Sequence, residues 1–325
     1  MGSLKVFFGE NTYLIETEIK KIKKEFGELV LGINYVPIDE NNVNSIISEL
    51  ETPAFGYEKK LIIAKGCNLL KKETKTKKNK NAEISQKIAE YLKENFENIE
   101  DSIVFIIVED TAEKTTELYK FISSEGEVRE FTELKPAELV QKLKAICNGY
   151  KVDIDNDTLK YIVETCGTSL QELINEIRKL IEYAGTGGKI DKQAVDLLAI
   201  PKIEAVIFDL TDNLGTKKIA AALEVLKNLI YNKEPVQKIL ITLYNHFKKL
   251  YLVKLAIIEN SDVVQVLNLK PNQTFLVSKY KKQAEYFEKA KLRQILQELI
   301  DLDANSKIGL IDLNVGLEAI LCNCK

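Results

Sequence analysis

The sequence predicts an α/β domain followed by two all-α domains, and three observations carry that expectation. Over the first 135 of 325 residues, short apolar runs rich in Val, Ile and Phe alternate with amphipathic stretches. This is the pattern of a mainly parallel sheet covered by helices. After Pro136 no run reads as a strand, and apolar residues recur three and four apart instead. The length exceeds what one core usually supports, so the chain divides into domains. An apolar content of 45%, a charged content of 29%, and only 15 Gly and 6 Pro suit a globular, largely helical protein.

Five strands are expected: "LKVFFG" at 4–9, "LVLGINYVPI" at 29–38, "KKLIIAK" at 59–65, "SIVFIIVE" at 102–109 and "EVREFT" at 127–132. Helices such as "TYLIETEIKKIKKEF" and "AEISQKIAEYLKENF" fall between them, each with one apolar stripe and Lys and Glu elsewhere. Residues 136–203 read as a small helical domain punctuated by Gly149, Gly167 and Gly185, with "DKQAVDLLAI" as its last helix. Beyond Pro201, residues 204–325 carry long helices with broad apolar stripes, including "EPVQKILITLYNHFKKLYLVKLAIIE" at 234–259. The lysine-rich "KKETKTKKNK" at 71–80 reads as a solvated insertion or as a loop that touches DNA phosphates.

A net charge of −3 gives no overall field toward nucleic acid or membrane. No window approaches the ~20 apolar residues of a membrane span, and "MGSLKVFFGENTYL" lacks the pattern of a signal peptide, so a cytoplasmic protein is expected. The five cysteines are scattered without a C-x-x-C pair, which favours reduced structural thiols, with neither metal nor disulfide. Asp153, Asp155, Asp157 and Glu164 mimic calcium-loop spacing, but Thr158 stands where glycine is needed, so an acidic helix start is expected. His246, the only histidine, reads as a packing or surface residue, and Glu109–Asp110 as a strand-end turn.

"KVFFGENTYL" opens as a phosphate-binding loop does, with a strand, a glycine and a helix. Yet Glu10 puts a negative charge where phosphate would sit, and no lysine follows until Lys20. The third strand ends in Lys65 and Gly66, where an NTPase would place carboxylates for magnesium. No catalytic residue and no cofactor are therefore expected.

The order of these segments resembles the delta subunit family of the bacterial DNA polymerase III clamp loader. The likeness is carried by "VFFGENTYLIETEIKKIKKEF", "ELETPAFGYEKKLIIAKG", "DSIVFIIVEDTAEKTTELYKFI", "EVREFTEL", "GTSLQELINEIRKL", "EPVQKILITLYNHFKKLYLVK" and "LKPNQTFLVSKYKKQAEYF". It implies an AAA+-like (RecA-like) domain at 1–135 with a degenerate nucleotide site, a helical lid at 136–203 and a helical collar at 204–325. Gly9, Glu10, Lys65 and Gly66 would mark the lost ATP site. Gln171 stands nearest the position where ATPase relatives carry a sensor arginine, and "LYKFISSEGE" lacks their Ser-Arg-Cys finger. The resemblance also implies binding and opening of the beta sliding clamp, with gamma/tau, delta-prime and primer-template DNA as further partners. It would place the chain in the polymerase class only through holoenzyme membership.

The resemblance puts the clamp-binding element in "TPAFGYEKK", with Phe55 as anchor and Ala54 and Tyr57 beside it. Pro53 and Gly56 favour a sharp turn around them. From the residues alone, Phe55 and Tyr57 could equally fold back to cap the sheet. Rival readings are a delta-prime-like stator, a divergent NTPase or nuclease, and a general DNA-binding helical protein.

Overall fold

The computed structural model describes residues 3–72, 79–99 and 101–324. The chain divides into two compact units, Met1–Glu133 and Leu134–Lys325.

The first unit is a three-layer α/β structure. Strand β1 (Leu4–Phe8) leads to helix α1 (Thr12–Phe26), β2 (Tyr35–Ile38), α2 (Ile46–Glu51), β3 (Lys60–Lys65), α3 (Ala82–Ile99), β4 (Ile103–Glu109), α4 (Glu117–Glu125) and β5 (Glu127–Glu130). The sheet has the order β2-β3-β4-β1-β5, and every pairing is parallel. Because alternate side chains point to opposite faces, the sheet feeds two cores. Val6, Ile62, Phe105 and Ile107 pack on one face with Leu50, Ile88, Leu92 and Ile122 from α2, α3 and α4. Phe7, Leu61, Ile63, Val104 and Ile106 pack on the other with Ile15, Ile19 and Ile22 of α1. Burial on both faces explains why β4 reads as a continuous apolar run and β1 as one interrupted only by Lys5, since a central strand of a parallel sheet has no solvent side.

The second expected strand is shorter than its apolar run suggests. Residues 30–34 form a turn in which buried Asn34 accepts from Val30 N–H at 2.6 Å and donates to the Glu28 carbonyl at 2.9 Å. An asparagine that satisfies the backbone locally ends a strand even inside an apolar run.

The second unit runs through α5 (Pro136–Gly149), β6 (Asp153–Ile154), α6 (Asn156–Cys166), α7 (Leu170–Ala184), β7 (Lys189–Ile190) and α8 (Lys192–Leu198). It continues with α9 (Ile203–Gly215), α10 (Ile219–Tyr231), α11 (Val236–Ile258), α12 (Val263–Val266), α13 (Leu276–Glu285), α14 (Lys289–Lys307) and α15 (Leu313–Asn323). The expectation of no strand after Pro136 is corrected by β6 and β7, which pair in parallel through Asp153↔Lys189 and Ile154↔Ile190. Two residues are too few to show an alternation, so the sequence carried no signal for them. Asp155 is the N-cap of α6 and accepts from Thr158 N–H at 2.7 Å.

Helix α11 threads the largest core. Its buried Ile239, Leu243, Phe247 and Leu250 recur at helical spacing within a cluster that runs from Ile203 to Cys324. One polar network lies in this core. Gln283 donates both amide hydrogens, to the Phe208 carbonyl at 2.9 Å and to Asp212 Oδ1 at 2.8 Å, so its oxygen must accept from His246 Nε2 at 2.7 Å. His246 is 5% exposed, and burial, reinforced by the charge of Lys249, holds its pKa down at about 4 against the pull of Gln283. No helix among the described residues is long and apolar enough to cross a membrane.

Candidate functional site

The residues singled out in the first unit fall at opposite ends of its parallel strands. At the carboxyl ends, Gly9 follows β1 and Gly66 follows β3, and β4 lies between those strands. Gly9 N–H bonds to the Glu109 carbonyl at 3.3 Å and Gly66 N–H to the Val108 carbonyl at 2.9 Å. The structure thus brings these two glycines to the same, carboxyl-terminal end of the sheet.

Several of the backbone donors that a phosphate loop would offer there are already engaged. Asn11 N–H bonds to the Phe131 carbonyl at 3.0 Å, and Asn11 Oδ1 accepts from Leu14 N–H at 3.2 Å. Asn11 also donates its side-chain amide to the Thr132 carbonyl at 3.5 Å. Gly9 is required for a different reason than phosphate. Its φ is +128°, and a Cβ would lie 2.3 Å from the Phe131 carbonyl oxygen, so only glycine lets the chain leaving β5 approach so closely. Glu10 is exposed, and Lys65 is ion-paired with Glu16 of α1. Glu109 is 3% exposed, accepts from Leu69 N–H at 3.0 Å, and is pushed up to a pKa of about 7 by burial. Gln171 lies in the second unit, exposed at the start of α7, with its amide donating to Asn175 at 3.1 Å. Of the lysine-rich run, residues 73–78 lie outside the described residues, and Lys71 donates to Asn68 Oδ1 at 2.6 Å.

At the amino end of β3 the chain makes a four-residue turn from Ala54 to Tyr57, closed by Tyr57 N–H to the Ala54 carbonyl at 3.0 Å. Gly56 takes φ +80° at the third position, which a type II turn demands. Ala54 is buried at 9% exposure and Tyr57 is half-buried. Phe55 is 88% exposed, more than any other large apolar side chain among the described residues. Leaving a whole phenyl ring in water forgoes roughly 1.5 to 3 kcal/mol of burial.

Sequence reasoning missed the residue beneath this turn. Lys60 is 2% exposed, and its ammonium reaches Glu49 Oε2 at 2.6 Å, the Glu49 carbonyl at 2.8 Å, Thr52 Oγ1 at 2.8 Å and the Thr52 carbonyl at 3.3 Å. The signal was available in the period of the strand. Lys60 shares a face with Ile62 and Ala64, both core residues, so the alternation turns a lysine inward.

The architecture, a parallel sheet unit followed by a helical unit, is similar to that of a solved clamp-loader delta protein. The Bacillus subtilis DNA clamp loader delta protein superposes with a TM-score of 0.72 and 21% identity, covering 99% of this chain and 95% of that one. Two family models match in order: "DNA polymerase III, delta subunit" over residues 6–132, and "DNA polymerase III delta subunit, C-terminal domain" over 204–324. Together they span most of the chain, which belongs to the DNA polymerase III delta subunit family. Among its relatives, the probable DNA polymerase III subunit delta of Aquifex aeolicus is 28% identical over 311 residues, covering 93% of this chain and 85% of the relative. The Bacillus subtilis DNA polymerase III subunit delta is 23% identical over 325 residues, covering 97% and 90%.

Proposed function

We propose that this chain binds a sliding clamp through the turn 53–57 and opens the ring for loading onto primed DNA, without hydrolysing ATP itself. The observation that carries this reading is Phe55, a phenyl ring held out in water on a closed turn in a member of the delta family. Aromatic side chains presented in this way dominate binding energy at protein interfaces. Buried Ala54 fixes the root of the turn, and half-buried Tyr57 flanks the anchor.

Opening requires tighter binding to the distorted clamp interface than to the closed one, since only differential affinity shifts a conformational equilibrium. ATP bound by other loader subunits would control when the turn is exposed. The absence of a nucleotide role here is supported by the committed donors of Asn11 and Leu14 and by the Lys65–Glu16 pair.

Residues 204–325 act as the collar that joins gamma/tau and delta-prime. The family model over 204–324 and the hydrophobic cluster from Ile203 to Cys324 support that boundary. Residues 136–203, which follow the sheet domain and precede the collar in the sequence, form the lid, and primer-template DNA passes within the assembly. The protein shares the polymerase classification by membership of the holoenzyme.

The test is surface-plasmon binding to the sliding clamp of the same organism. Wild type binds in the submicromolar range and Phe55→Ala loses about tenfold or more, equivalent to roughly 1.4 kcal/mol. Equal binding by both would move the site away from Phe55, and no binding by either would remove the clamp as partner.

A further inference from the structure

We infer that Lys60 is the positioning residue of the Phe55 turn, an inference that rests on reading Phe55 as the anchor. The turn leaves helix α2 at Thr52 and rejoins the sheet at Lys60, so its two ends are the two residues that the ammonium joins. Lys60 Nζ contacts Thr52 Oγ1 at 2.8 Å and the Thr52 carbonyl at 3.3 Å. The same ammonium takes the Glu49 carbonyl at 2.8 Å and the Glu49 carboxylate at 2.6 Å. One cation therefore satisfies a carbonyl at the end of α2, where the helix dipole favours positive charge, and closes the base of the loop.

Both anchorage points are themselves fixed. Lys60 N–H donates to the Ser102 carbonyl at 2.8 Å, and Lys60 opens the β3–β4 ladder opposite Ile103. Thr52 N–H donates to the Ser48 carbonyl at 3.2 Å, and buried Ile46 and Leu50 bind α2 to the core. Pro53 through Lys59 are thus held at both ends, with Tyr57 N–H to the Ala54 carbonyl as their internal tie. A surface turn closed by a buried lysine spends less time in conformations that misdirect Phe55. Apparent affinity falls in proportion to the fraction of molecules in the competent conformation.

The experiment compares wild type, Lys60→Met, Thr52→Val, Thr52→Ser and Phe55→Ala as full chains. Amide hydrogen exchange is read in the free protein and binding to the sliding clamp by surface plasmon resonance. Thr52→Val removes the hydroxyl without creating a buried vacancy, so it carries the test should Lys60→Met fail to fold. Thr52→Ser restores the hydroxyl.

In Lys60→Met or Thr52→Val the Thr52 and Tyr57 amides exchange about tenfold faster, and clamp affinity falls by a comparable factor with Phe55 still present. Amides of Leu61 to Lys65 stay as slow as in wild type, which a general loss of stability would not allow. Thr52→Ser behaves as wild type in both measurements. Unchanged exchange at Thr52 and Tyr57, or acceleration spread evenly through β3, would overturn the inference. Equal clamp binding by wild type and Phe55→Ala would overturn the reading of Phe55 and the binding half of the inference. The exchange data would still decide whether Lys60 closes the turn.

Discussion

His246 illustrates how a residue's chemistry is set by what surrounds it. An exposed imidazole would titrate near 6.5, but burial holds this one at about 4, and Gln283 commits its Nε2 as a donor. The folded pKa lies below the unfolded one, so between those values the unfolded chain carries the extra proton. Stability from this group is complete above pH 6.5 and is lost as pH falls from 6.5 toward 4. The full span is worth on the order of 3 kcal/mol. Because the chain has a single histidine, its imidazole proton resonance can be followed in a proton NMR titration without assignment. The expected result is no titration between pH 8 and 5.5, with a midpoint near 4 where the fold survives; a midpoint above 6 would place His246 in contact with water. The sequence left open whether this residue packs or sits on the surface. Neighbours at helical spacing give its face, but Gln283 lies far along the chain and nothing local names it as the partner.

At the scale of elements, the sequence was most legible where burial is regular. The central strands β1 and β4 and the long α11 follow their apolar patterns to within a residue or two, because each is buried in a hydrophobic core of its own unit that enforces the period. It was least legible where one polar side chain overrides that pattern, as Asn34 does in ending the run before β2, and where pairing is only two residues long, as in β6 and β7. The β1–α1 loop shows a third case. Gly9 suggested a phosphate loop, but its positive φ serves a close crossing with Phe131, and that partner is invisible in local sequence. A direct consequence concerns nucleotides. A ligand with a Kd of 10 μM present at 1 mM would add about 2.7 kcal/mol of stability. Mg-ATP at that concentration is expected to leave the thermal midpoint of the isolated chain unchanged within about 1 °C, where such binding would raise it by several degrees. A rise of that size in differential scanning fluorimetry would restore a nucleotide site to this protein.

On the scale of the whole chain, the first unit has hydrophobic cores of its own. Its sheet is covered on one face by α1 and on the other by α2, α3 and α4, and both of its hydrophobic clusters lie between Leu4 and Phe131. A length of 133 residues falls within the range in which a single core folds cooperatively. The turn that presents Phe55 is tied wholly within this unit, through Lys60, Glu49, Thr52 and Ser102. If Phe55 is the clamp anchor, folding and presentation of its turn are expected not to require residues beyond Glu133. A fragment of residues 1–133 is expected to unfold in one cooperative thermal transition and to bind the sliding clamp within about threefold of the full chain. The Phe55→Ala substitution should weaken the fragment by the same factor as the full chain, since the phenyl ring would fill the same clamp pocket in both. A fragment that binds the dye ANS and lacks near-ultraviolet circular dichroism would show that the sheet unit borrows stability from the helical one. A well-folded fragment with no clamp affinity would instead put essential contacts in the second unit, and the comparison of the two outcomes separates a folding requirement from a binding one.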